Sequence, residues 1–164
     1  MYPVKLGYSE AVKRVSALLK NGNDAEALLT AMFTVEKTLY RTLRQLVVSA
    51  GFPSTQADVL MGRSKGIENI KQVWSCFDPK HEPLTKFISQ RTLKSIADAQ
   101  TMRNKLVHGT AVYSSTKCQA VAKDVLVALD DLRTALERRY GCDGWATMKR
   151  RVKSTLHSDP RVTI

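Results

Sequence analysis

The chain has 164 residues, 43% of them apolar, with eight glycines and five prolines. That suffices for one domain with a buried core, or one domain with a short appendage, and excludes a disordered chain. Lys and Arg outnumber Asp and Glu 26 to 15, a formal charge of +11 that favours polyanionic partners such as RNA, DNA or an anionic membrane surface.

Met1-Tyr2-Pro3-Val4-Lys5 is not followed by an apolar run, so no signal peptide is expected. No stretch approaches the ~20 apolar residues of a membrane span. Cys76, Cys118 and Cys142 are odd in number, widely spaced and without a CxxC pair, which suits a reducing cytoplasm. His81 and His157 have no metal-ligand spacing to each other or to these thiols, so neither a metal nor another cofactor is expected.

The hydropathy pattern is helical nearly throughout and predicts an all-α, antiparallel bundle of about five to seven helices. A first helix spans about Ser9 to Lys20, with Ser9 as its N-cap, and closes at Asn21-Gly22. A long second helix begins after Asn23 or Asp24 and ends near Ala50-Gly51, carrying Leu28, Met32, Leu39, Leu43 and Leu46 at core-facing spacing. Pro53, with Gly62 and Gly66, breaks the stretch from Gly51 to Gly66, leaving room for a short helix. Those breaks, and few base-reading side chains beyond Arg63, Lys65 and Asn69, argue against a DNA-binding helix-turn-helix there.

Ile67 to Phe77 reads as the next helix, with Ile67, Ile70, Val73 and Trp74 on one side, and Asp78-Pro79 to Pro83 as a turn. A helix from about Leu84 to His108 follows, then a loop, then a helix capped by Ser114 or Ser115 and ending at Tyr140-Gly141. A final basic helix, capped by Asp143 and ending near Leu156, occupies residues 142–164 and packs on or extends the bundle of residues 1–141. It carries Lys149, Arg150, Arg151 and Lys153, with Arg138 and Arg139 just upstream. Such a run is either a solvated face or a nucleic-acid-binding surface.

The chemistry concentrates in Arg103-Asn104-Lys105-Leu106-Val107-His108-Gly109. On a helical wheel Leu93, Ile96 and Ala97 share one side, and the same side continues as Gln100, Arg103, Asn104 and Val107. Leu84, Ile88, Met102 and Leu106 form an opposite apolar arc. An apolar stripe that turns polar places Arg103 where an anion, an acceptor, a cleft or a subunit interface must meet its charge.

His108 before Gly109 also fits a plain helix end, with a basic group near the dipole and glycine at the left-handed cap. Arg103 and His108, five positions apart, diverge by about 140° on an ideal helix, whereas Asn104 and His108 share a face. A loosened last turn, the long Arg side chain or a second copy of the helix closes that gap. Glu36 lies in line between Met32 and Leu39, either as an acid at the stripe's edge reaching solvent or as a partner that pairs with or orients Arg103.

Arg-Asn, three intervening residues and His, near the end of a long helix in a basic all-α chain, resembles the HEPN superfamily. The resemblance covers the motif and, more weakly, the helical layout from about Ala25 to Tyr140, including Glu36. It implies a metal-independent endoribonuclease of toxin or defence type, acting as a homodimer whose two motifs face one composite cleft. Arg103, Asn104 and His108 would then be catalytic, with Glu36 and Gln100 supporting, and RNA would be bound by Arg138, Arg139 and the C-terminal cations. It also implies an antitoxin or regulatory partner. In family toxins regulated by a nucleotidyltransferase a Tyr lies two residues after the His; here Thr110 stands there and the nearest Tyr is Tyr113. The alternative implied by the same resemblance is a non-catalytic RNA- or nucleotide-binding or interaction module.

Overall fold

The computed structural model describes residues 7–146. The fold is an all-α helical bundle. Among the described residues it contains α1 (Tyr8–Lys20), α2 (Asp24–Ser49), α3 (Ser54–Gly62), α4 (Ile67–Phe77), a 3₁₀ turn (Leu84–Lys86), α5 (Gln90–Val107) and α6 (Ser115–Tyr140). The expected final helix and its cations Lys149, Arg150, Arg151 and Lys153 lie outside the described residues.

Several helix boundaries differ from the expectation, each for a local reason. The N-cap of α1 is Gly7, extended at φ −65°, ψ 166°, so Ser9 lies inside the helix and caps nothing. α5 starts at Gln90 because Ser89 adopts an extended backbone and its hydroxyl accepts from the Thr92 N–H at 3.1 Å. Leu84 and Ile88 therefore precede α5 and do not continue its apolar arc. Of the two candidate serines, Ser114 is the cap, its hydroxyl accepting from the Lys117 N–H at 3.2 Å, and Ser115 is the first residue of α6.

The chain divides into two compact units. Among the described residues one holds 7–37 with Ile88–Thr134, and the other holds Thr38–Phe87 with 135–146. In the first unit α6 gathers the other helices. The Arg133 guanidinium lies 3.6 Å over the Tyr8 ring of α1. The Ser115 hydroxyl donates to the Asp24 carboxylate at the start of α2. The Thr92 hydroxyl of α5 donates to Asp131 at 3.2 Å. Val15, Leu28, Met32, Val35, Ile96 and Leu129 are buried here, each burial worth roughly 1.5–3 kcal/mol before entropy is set against it.

The second unit is organised by Asp78, which is fully buried at the C-cap of α4. It accepts from Arg139 Nη2 at 2.8 Å, from the Tyr140 hydroxyl at 2.7 Å and from the Lys80 and Glu82 N–H groups at 2.9 and 3.1 Å. Burial alone would push this carboxyl up; the hydrogen bonds from Arg139, Tyr140, Glu82 and Lys80 outweigh it and hold the pKa below the usual carboxylate range. Tyr140 in turn accepts from Trp74 Nε1 at 2.9 Å, and burial, followed by the Asp78 contact, pushes its phenol up.

The same unit clips the start of the C-terminal segment onto α2. Arg41 Nε donates to the Gly144 carbonyl at 2.8 Å, Gln45 Nε2 to the Ala146 carbonyl at 2.7 Å and Trp145 Nε1 to the Thr38 hydroxyl at 2.9 Å. Gly144, at φ +83°, sits so close that a Cβ would lie 2.4 Å from Thr42 Oγ1 and 2.9 Å from α2 backbone atoms. Only glycine fits both the conformation and the space.

Candidate functional site

α5 buries Thr92, Ile96, Ala99 and Met102. This stripe runs between the two arcs expected from the sequence, and it leaves Ala97 exposed and Leu93 half-buried. At 3.6 residues per turn Arg103 falls within the same stripe, one turn beyond Ala99. It is half-buried, as are Gln100, Asn104 and Leu106, whereas Val107 is 55% exposed. The inward stripe of α5 thus carries a guanidinium in its last turns, followed by Leu106.

No carboxylate meets that guanidinium among the described residues. Arg103 Nη1 donates to Asn104 Oδ1 at 3.0 Å, and Gln100 Nε2 donates to the same oxygen at 3.3 Å. Glu36, half-buried on α2, makes neither a hydrogen bond nor an ion pair with Arg103. Of the two readings of Glu36, the structure shows no pairing with Arg103; the guanidinium instead makes a neutral contact with an amide one residue away. Gln100, Arg103 and Asn104 come together; Glu36 does not join them.

His108 is the C-cap of α5, at φ −87°, ψ 2°, and its N–H donates to the Asn104 carbonyl at 3.0 Å. Gly109 follows at φ +65°, with nothing within 4 Å of the Cβ it lacks, so glycine is favoured there for conformation alone. The Gly109 N–H reaches the Leu106 carbonyl at 3.2 Å and the Thr110 N–H reaches the Lys105 carbonyl at 2.9 Å. This closure satisfies the carbonyls of Asn104, Lys105 and Leu106 in the last turn. The His108 imidazole is exposed and makes no side-chain hydrogen bond among the described residues.

The remaining expected binding residues separate. Arg138 is exposed. Arg139 is not available in the same way: its guanidinium pairs with Asp78 at 2.8 Å and Glu82 at 2.7 Å and stacks 4.9 Å over Phe87. Asp78 and Glu82 raise its pKa despite burial and neutralise its charge locally. This role was hidden because Asp78 reads in the sequence only as a turn residue before Pro79; a buried acid 61 positions from its Arg leaves no local pattern.

A cavity of about 500 Å³ opens beside Lys80, Phe87, Arg138 and Tyr140, and another of about 330 Å³ beside Asp24, Tyr113, Ser115 and Cys118. Neither is lined by Arg103 or His108. Among the described residues no three His, Cys, Asp or Glu side chains gather as a metal site, and no helix is long and apolar enough to cross a membrane. Comparison of the chain with models of known protein families, with curated proteins and with solved structures finds no match.

Proposed function

We propose that the protein is a metal-independent endoribonuclease of toxin or defence type, resembling the HEPN superfamily, with Arg103, Asn104 and His108 from two copies around one cleft. The observation that carries this reading is the half-buried Arg103, held by a neutral amide and unpaired by any acid among the described residues. A guanidinium in that state calls for an external anion.

RNA supplies its own nucleophile. The 2′-oxygen attacks phosphorus while His108 removes its proton; the bond from phosphorus to the 5′-oxygen breaks, and that oxygen takes a proton from the imidazolium of the second copy. The products are a 2′,3′-cyclic phosphate and a 5′-hydroxyl, with no net change in protons. Arg103 stabilises the charge that builds on the non-bridging oxygens. Two copies are invoked because the resemblance implies a homodimer, and the divergence of about 140° between Arg103 and His108 on one helix is compatible with that arrangement. The partners on this reading are RNA, a second copy of the chain and an antitoxin or regulator, in the cytoplasm.

Cleavage of transfer or messenger RNA in EDTA by wild type, set against His108→Ala and Arg103→Ala, tests this directly. Equal cleavage by all three removes the assignment. One observation favours the second reading, a module that binds RNA without cutting: no side chain orients the exposed His108 ring among the described residues. That module predicts RNA binding that survives His108→Ala, with no cleavage by wild type.

A further inference from the structure

The two ends of the Asn104 amide do opposite things to a phosphate, so which end faces outward decides what the residue contributes. Its Oδ1 accepts from Arg103 Nη1 at 3.0 Å and from Gln100 Nε2 at 3.3 Å. A guanidinium has donors and no acceptor, so the amide oxygen must turn toward it. Gln100, one helical turn upstream, adds a second donor to the same oxygen. With both inward contacts on Oδ1, the Nδ2 group carries no protein partner among the described residues.

We infer that Gln100 is a positioning residue: with Arg103 it fixes the Asn104 amide so that its NH₂, alongside the remaining guanidinium N–H groups, offers donors to a non-bridging oxygen of a phosphodiester. This rests on reading the Arg103 end of α5 as a phosphate site. It assigns Asn104 a direct role toward the anion. The neutral latch has an electrostatic consequence. An acid in place of Asn104 would hold Arg103 equally well and cancel the charge the anion needs. One amide holds the guanidinium, Gln100 holds that amide, and the charge stays in place.

The test uses the full-length, ¹⁵N-labelled protein titrated with a 2′-O-methyl RNA oligonucleotide, which presents phosphodiesters but lacks the nucleophile. The Asn104 side-chain NH₂ resonance, assigned by its loss in Asn104→Asp, should shift with the titration. Gln100→Met keeps the length of the side chain without its donor. It should shift that resonance before any RNA is added and weaken binding about three- to tenfold, the worth of one neutral hydrogen bond. Asn104→Asp keeps both inward contacts but turns an oxygen outward, and should weaken binding more than about tenfold. Thermal melts of both variants verify the fold.

If Gln100→Met binds with wild-type affinity and leaves the Asn104 resonance unchanged, Gln100 only packs and the inference is overturned. The same holds if wild type does not bind the oligonucleotide. Cleavage of unmodified RNA is scored separately. A wild type that binds as described but does not cut removes the nuclease reading and keeps the inference; a Gln100→Met that cuts and binds as wild type does the reverse.

Discussion

Arg103 reaches Asn104 Oδ1 at 3.0 Å in the last turns of α5, and no carboxylate reaches Arg103 among the described residues. A half-buried cation satisfied only by a neutral group retains its attraction for an anion. On the nuclease reading, Arg103→Lys keeps the charge but loses the planar donor fork, and cleavage should fall by at least about tenfold. His108→Ala should cost about 10²- to 10⁴-fold with RNA affinity largely retained. Single-turnover rates and filter-binding affinities on the same RNA separate the two effects.

Asp78 is the group whose loss should unfold the second unit. Asp78→Ala leaves Arg139 half-paired and Tyr140 without its acceptor, and should cost about 3–5 kcal/mol in urea denaturation. The pH dependence follows from the lowered Asp78 pKa. Its stabilisation is fully present above the ordinary carboxylate pKa of about 4 and is lost as pH falls through the lower folded value. Wild type should therefore lose stability in acid below about pH 4, and Asp78→Asn should lose less over that same window.

Two glycines with positive φ should respond differently to alanine. At Gly109 nothing crowds the added methyl, so Gly109→Ala should cost only the left-handed backbone penalty of about 1 kcal/mol, and Gly109→Asn less. At Gly144 the methyl meets Thr42 and the α2 backbone at 2.4 and 2.9 Å. Gly144→Ala should cost about 1–3 kcal/mol more from overpacking and release the Trp145 clip, visible as a change in tryptophan fluorescence.

The thiols should divide by exposure. Cys76 is exposed, whereas Cys118 and Cys142 are buried. Burial, then the Asp24 carboxylate, pushes the Cys118 thiol up, and burial pushes Cys142 up against the opposing Gly144 N–H. Maleimide treatment of the native protein at pH 7 should label one cysteine per chain, at Cys76. Rapid labelling of all three would contradict the burial of the other two.

Much of the helical layout was legible because it is local. Ile67–Phe77 is the helix its Ile67, Ile70 and Trp74 spacing predicts, and Gly109 takes the left-handed cap that follows a helix end. The boundaries that moved did so by local competition: Ser89 caps α5 and cuts Leu84 and Ile88 from it. At the candidate site the polar end of the α5 stripe was visible, but its true axis was displaced from both expected arcs. The partner of Arg103 was not visible, since a wheel gives directions and not which side chain a flexible guanidinium will reach.

The sequence alone determined that this chain is helical and basic and that it carries an Arg, an amide and a His at the end of one helix, because periodicity and charge are properties of neighbouring residues. Only the tertiary structure decided which cations are already paired. Arg139 meets Asp78 across 61 positions and loses its free charge, while Arg103 finds only Asn104 among the described residues and keeps it. The physical reason is that ion pairing depends on distance in space, which no local spacing encodes.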